Sequence, residues 1–175
     1  MANTLFPDNS FKPLLGDLKI RLATPVGQVT FWVFLVIGIL VCGGTPIWVE
    51  VIKLWLGFAT DTENLRTAIN CYFPAIGGAA AAQLMFAGRQ KYLTSFSFFA
   101  AFFFFISSIV TLLLGKFPAT RWTWAFGLLA AVLAILMWWI ANGLDETFRD
   151  NITPDAAVGG SPRITLVGDT QGFTT

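Results

Sequence analysis

The chain has 175 residues, of which 55% are hydrophobic and 12% charged, about half the charged share of an ordinary soluble domain, and that balance excludes a water-soluble globular fold of the usual kind. Its formal net charge is +1, so no overall field points to nucleic acid or to an acidic partner. Histidine is absent, which removes the commonest metal ligand and the commonest general base; no cofactor is expected.

In chain order, the first element precedes the apolar runs. Phe11, Leu14, Leu15, Leu18 and Leu22 form a helical stripe opposite Lys12, Asp17, Lys19 and Arg21, and Pro13 suits a first turn. The N-terminal segment 1–27 is therefore expected to carry an amphipathic helix lying on the cytoplasmic leaflet. From Val29 to Val41 the chain is free of charge, and 28–44 is read as the first transmembrane helix, about long enough for a core of roughly 30 Å. A cleaved leader is disfavoured because no small-x-small site follows, and Val41 before Cys42 excludes a lipoprotein box.

Gly43, Gly44, Thr45 and Pro46 break that helix, with Thr45 as the expected cap of the next. Ile47, Trp48, Val51, Leu54, Trp55 and Phe58 then recur at helical spacing, and Glu50 and Lys53 sit one turn apart as candidate paired charges. At about 20 Å of helix, 46–58 is too short to span. An interfacial or re-entrant helix is the leading reading, favoured by its tryptophans; a kinked continuation of the first span is the alternative.

Thr60-x-x-Glu63 has the form of a capping box. The second span is expected over 67–87, kinked at Pro74. It carries a small-residue face, Gly77, Gly78, Ala81 and Ala82, suited to close helix packing or to an oligomer contact. Asn70 and Gln83 are its polar side chains and require a protein neighbour or a wet cavity. After a basic loop with Arg89 and Lys91, the third span is expected over 95–115. Its phenylalanines cover the whole circumference from Phe96 to Phe105, and Ser107, Ser108 and Thr111 are candidate buried or pore-lining groups. The fourth span, 122–142, carries Trp122 and Trp124 at one end and Trp138 and Trp139 at the other, with Trp124 about 21 Å of helix from Trp138, so these pairs are read as anchors near the two interfacial belts. Asn142-Gly143 predicts its end.

The tail, 144–175, is polar and too short to fold alone. Its β-prone run around Ile164 and Leu166 is a candidate for strand addition to a partner. Cys42 and Cys71, without further cysteine or histidine nearby, are read as small buried hydrophobes. Lysine and arginine concentrate on the N-terminal segment, the Arg89/Lys91 loop and the tail rather than on the two opposite loops, which predicts both termini on the cytoplasmic side of a bacterial inner membrane.

The fold class expected is an all-α integral membrane protein: a four-transmembrane-helix bundle with an N-terminal amphipathic helix and an interfacial or re-entrant helix between the first two spans. There is no Walker loop, no G-x-S-x-G and no metal-ligand spacing, so the chain is read as non-enzymatic. The expected function is a homo-oligomeric membrane anchor or sensor for a soluble cytoplasmic protein, reached through the tail and through Arg89 and Lys91. An oligomeric channel lined by Asn70, Gln83 and the third span's hydroxyls is the alternative, and a small-solute transporter is less favoured because no ionisable group lies mid-span. Small bacterial membrane proteins of this architecture accompany soluble effectors in anti-phage defence operons, as in the Kiwa system's four-span membrane subunit; no motif carries a resemblance to them, and a bacterial stress or defence role is expected by analogy of architecture alone.

Overall fold

A computed structural model describes residues 11–87, 91–114 and 121–150. Every regular element among them is helical. Helix α1 covers Phe11–Ala23 and runs into a tight 3₁₀ turn, Thr24–Gly27. Helix α2, Val29–Gly43, opens as an α-helix over Val29–Val33 and widens into a π-helix over Phe34–Gly43. Helix α3 is Thr45–Trp55, α4 is Glu63–Ala87, α5 is Lys91–Leu114 and α6 is Arg121–Asn142; a last 3₁₀ turn covers Glu146–Phe148.

Phe11–Gly27 and Val29–Gly43 meet at 92°, so α1 lies across the end of α2. α2, α4, α5 and α6 alternate in direction. The C-terminal part of α2 meets the early part of α4, where the Tyr72 hydroxyl donates to the Ile39 carbonyl at 2.9 Å. Phe104, midway along α5, packs its ring on Gly77 of α4 so closely that a Cβ there would overlap it. α4 and α6 run parallel, from Asn70 beside Gly127 to Gln83 beside Asn142. The starts of α2 and α5 and the ends of α4 and α6 therefore share one end of the bundle.

α4 is the helix around which the others pack, with α6 and α5 against it over most of its length and α3 near its start. The core follows from helical spacing: Phe31, Leu35 and Ile39 on α2; Phe73, Ala80, Ala81 and Leu84 on α4; Leu93, Ala100 and Phe104 on α5; Ala130, Ala134, Met137 and Trp138 on α6. The opposite faces stay apolar. Phe98, Phe99, Phe102 and Phe105 on α5, and Leu128, Leu129 and Val132 on α6, are large and exposed. Such wide apolar surface on a monomer marks a membrane or protein contact.

Among the described residues two helical stretches are long and apolar enough to cross a membrane, Lys91–Thr111 and Trp124–Asn142. The bent pair Phe11–Gly27 plus Val29–Gly43 makes a third if counted as one span. The expected span over 67–87 is not among them. α4 has the length, 25 residues or about 37 Å, but Asn70, the two glycines and Gln83 dilute its apolar character. A helix with protein neighbours over most of its surface does not need a uniformly apolar one. The run expected to cross at 28–44 is also short on its own, with five α-helical residues followed by ten π-helical ones.

Helix ends show how local chemistry sets the boundaries. α3 closes at Leu56 with a Schellman motif: Phe58 N–H donates to Lys53 at 2.8 Å and Gly57 N–H to Leu54 at 3.2 Å, with Gly57 at φ 76° supplying the left-handed residue this needs. At its start Gly44 is the cap, and the Thr45 hydroxyl turns back to the carbonyls of Val41 and Cys42 (3.2 and 2.7 Å). Trp48 Nε1 takes the carbonyl of Leu40 at 2.8 Å. Acceptors orphaned where α2 ends are thus satisfied by side chains of α3. α4 begins two residues later than the T-x-x-E pattern predicts, because Asp61 Oδ1 accepts from Glu63 N–H at 3.1 Å.

Candidate functional site

The bundle end that gathers α1, the starts of α2 and α5, the ends of α4 and α6, and the segment 144–150 holds most of the long-range polar bonds among the described residues. It is built from two caps supplied across the fold. Arg21 of α1 is buried, at 9% exposure, and its Nη1 donates to the carbonyls of Ile140 and Ala141 (3.3 and 3.5 Å) at the end of α6. A guanidinium there meets both the unsatisfied carbonyls and the negative end of the helix dipole. Burial pulls the Arg21 pKa down, opposed by the Asp17 carboxylate and the Tyr92 hydroxyl, and the group remains a cation.

Asp150 does the complementary work. Its carboxylate accepts from the backbone N–H of Val29 (2.6 Å) and of Thr30 (2.9 Å) and from the Thr30 hydroxyl (2.5 Å). Gln28, at the cap position of α2, makes no capping bond of its own; its Oε1 instead accepts from the Asp150 N–H at 2.8 Å. The pair is a reciprocal cap between segments about 120 residues apart, an anion on the positive end of α2. These donors, the Thr30 hydroxyl first, hold the Asp150 carboxyl below its ordinary pKa.

Between the caps lies a knot of rings. Phe31 stands 5.3 Å from Trp138, 5.0 Å from Trp139 and 6.0 Å from Phe148, and Phe34 stands 5.0 Å from Phe148. Trp139 Nε1 donates to the Leu22 carbonyl at 3.2 Å, tying α6 to α1. Gly143 lets the two segments cross, since a Cβ there would collide with the Arg21 carbonyl. The Tyr92 hydroxyl at the head of α5 donates to Asp17 at 2.6 Å. Beside these groups opens a cavity of about 520 Å³ lined by Arg21, Gln83, Phe86, Asn142 and Asp145 among others.

Several expectations need correction here. The polar face of α1 is not left to water: Asp17 and Arg21 turn toward the bundle with Leu14 and Leu18, while Leu15 and Leu22 stay exposed at 64% and 38%. Arg21 and Asp17 face inward because α6 and Tyr92 offer them polar partners. Trp138 is buried and Trp139 half-buried within the ring knot, so they are packing groups where a lipid belt was expected; Trp122 at the other end is 84% exposed. Cys42 and Cys71 are exposed free thiols, not buried ones, since each lies on the outward side of its helix.

The remaining candidates fall as follows. Gly77 and Ala81 are buried inside the protomer, Gly77 under Phe104, while Gly78 and Ala82 are half-buried. Asn70 faces Gly127 of α6, and Gln83 Oε1 accepts from Asn142 Nδ2 at 3.3 Å, so both amides lie against α6. Ser107 and Thr111 are buried on the Phe104 side of α5, and Thr111 donates to the Ser108 carbonyl at 2.9 Å. Glu50 and Lys53 pair at 2.7 Å on a helix with no buried residue, whose end exposes Trp55 and Phe58 at 82% and 78%. Lys91 is exposed at the head of α5. Arg89, Ile164 and Leu166 lie outside the described residues.

Asp17, Arg21, Tyr92, Gly143, Phe148 and Asp150 escaped sequence reasoning. A 13-residue helix with both acid and base on one face, followed by a glycine at the end of the last apolar run, was the faint signal for the Arg21–Gly143 crossing; nothing local marks Asp150. Among the described residues no group of three or more acidic or cysteine side chains could hold a metal ion. Comparison with known proteins finds no matching family model, no similar curated protein and no similar solved structure, so the functional reading rests on the residues themselves.

Proposed function

We propose that the chain is a non-enzymatic membrane subunit that crosses the bilayer four times and presents the N-terminal helix, the Arg89/Lys91 loop and the C-terminal tail together on the cytoplasmic side as a platform for a soluble partner. The supporting observation is the double cap. Arg21 and Asp150 tie the two chain ends to the same end of the bundle, so the tail leaves from a fixed point beside α1 and the head of α5. A tail serving no purpose outside the membrane would not need a dedicated clamp of two side-chain caps and a ring cluster.

In this reading α2 is a short crossing with a flat helix at each end. The 92° bend supports a leaflet position for α1, and the exposed apolar side chains of α3 support the same on the far side, where its Trp48 and Trp55 suit the interface. Thinning of the bilayer around a short span is tolerated at a cost of fractions of a kcal/mol per Å. α4 crosses with its polar groups turned to α6. Half-buried Gly78 and Ala82 leave a narrow strip for a second copy. Gln83 and Thr111 are bonded within the protomer and Ser107 is buried in it, which favours the anchor over the channel.

The experiment is removal of 151–175 from the full chain. The account expects the truncated protein to remain membrane-inserted and to lose the soluble protein that co-purifies with the intact one, with liposomes tight to ions in both cases. Ion conductance by the intact chain, abolished by Asn70→Leu or Gln83→Leu, would replace the anchor with the channel.

A further inference from the structure

Two cavities flank α5, and they share walls. The first, about 540 Å³, is lined by Phe11 and Leu14 of α1 and by Lys91, Tyr92, Ser95, Phe96 and Phe99. The second, about 250 Å³, lies between α5 and α6 and is lined entirely by apolar side chains, from Phe96 and Phe99 at one end to Phe103, Phe104 and Leu133. Phe96 and Phe99 line both, so the two adjoin along α5 as the two parts of a groove. Its shape has a local cause: Ala100, at the α5–α6 seam, is too short to fill the space between the surrounding phenylalanine rings.

From Lys91 to Phe104 the groove follows about 20 Å of helix. That is half the thickness of a bilayer with its headgroups, roughly 40–45 Å, and so the length of one lipid of one leaflet. Its polarity is graded in the same way. The mouth has the exposed Lys91 ammonium beside Tyr92, whose hydroxyl is engaged by Asp17, and the shaft is hydrocarbon throughout. An anion at the mouth joined to an alkyl chain in the shaft matches both ends. The tail of this protein is too polar to occupy the shaft.

We propose that this groove is a binding site for one anionic phospholipid, its phosphate against Lys91 and one acyl chain running between Phe96, Phe99, Phe103 and α6. The site rests on the membrane placement of α5 and α6 and is independent of partner recruitment. Because α1 forms one wall of the mouth through Phe11 and Leu14, an occupied groove props the helix that carries Arg21, which links lipid composition to the clamped end.

The test uses the full-length protein purified in mild detergent with equal phosphatidylglycerol and phosphatidylcholine, and native mass spectrometry to count retained lipid. The expected result is one lipid per chain with about a fivefold preference for phosphatidylglycerol, the effect of one lysine near an anionic headgroup. Lys91→Gln should abolish the preference while lipid is still retained, and Ala100→Phe, which fills the seam, should abolish retention. Equal retention of both lipids by the unaltered protein, lipid loads unchanged by either substitution, or a second copy of the chain replacing the lipid would each overturn the proposal. The unaltered protein's headgroup preference decides the matter even if Ala100→Phe fails to fold. Carbonate extraction run in parallel reads membrane placement separately: a chain that stays in the membrane but retains no lipid refutes the groove alone.

Discussion

Replacing Phe148 with alanine isolates the ring cluster that holds the segment after α6. The Phe148 ring lies 6.0 Å from Phe31, 5.0 Å from Phe34 and 6.0 Å from Trp138, and each such pair contributes roughly 0.5–1.5 kcal/mol beyond the area it buries. Because the side chain is only half-buried, full-core costs do not apply, and the three pairs together suggest about 2–3 kcal/mol for release of residues 144–150. The bundle itself should survive, since Phe31 keeps Trp138 and Trp139. Local opening then becomes about 30- to 160-fold more populated. Amide hydrogen exchange in micelles reads this directly at Val29 and Thr30, whose N–H groups are covered only while Asp150 is in place, and tryptic cleavage after Arg149 reads it independently. If Phe148→Ala raises exchange at Thr30 and cleavage after Arg149 by less than about threefold in a protein that remains helical, the rings do not anchor the segment and the clamp reasoning fails.

Other outcomes follow from the same geometry. Asp150 has a folded-state pKa below its unfolded value of about 3.9, so its contribution is complete above that value and is lost as pH falls through the folded one; the protection factor of the Thr30 amide, corrected for the intrinsic exchange rate, should hold steady from neutral to mildly acid pH and fall below about pH 4, and Asp150→Asn should flatten that profile. Arg21→Gln removes a charge-assisted cap from the end of α6, worth about 1.5–3 kcal/mol, and should free α1 from the bundle, seen as increased labelling of a cysteine placed at Leu18. Gly77→Val drives two methyl groups into the Phe104 ring and should cost about 1–3 kcal/mol of stability, measured by the thermal midpoint in detergent; Gly78→Val, with open space around it, should be near neutral in a monomer and harmful only if that face meets a second copy.

How much of this was readable beforehand depends on the range of the interaction. Apolar runs, the glycine–proline break before α3 and the Asn-Gly pair after α6 are local signals, and the helices fall where those signals lie. Trp138, Trp139 and Arg21 show where reading by type fails. A tryptophan near a span's end suits the lipid interface and an arginine on a short amphipathic helix suits water, until a particular ring or a helix C-terminus is brought to it from more than 100 residues away. The reciprocal cap of Gln28 and Asp150 carries no local mark at all, because each residue is unremarkable in its own segment. Gln83 was legible as an amide needing a neighbour, which Asn142 supplies at 3.3 Å, but its side chain stays exposed at the bundle end and is not buried as expected. α4 is the reverse case: its small residues Gly77, Ala80 and Ala81 lower its hydropathy and lie buried against neighbouring helices.

The fourfold crossing is the premise of the platform, and substituted-cysteine labelling in sealed, right-oriented vesicles tests it most directly. With Cys42 and Cys71 changed to serine, single cysteines are introduced as Thr60→Cys, Gln90→Cys, Ala119→Cys and Ala156→Cys and probed with a membrane-impermeant maleimide. The account predicts that Thr60→Cys and Ala119→Cys label from outside and that Gln90→Cys and Ala156→Cys label only after the vesicles are opened. Labelling of Thr60→Cys and Gln90→Cys from the same side would show that α4 does not cross, and would take the four-span platform with it.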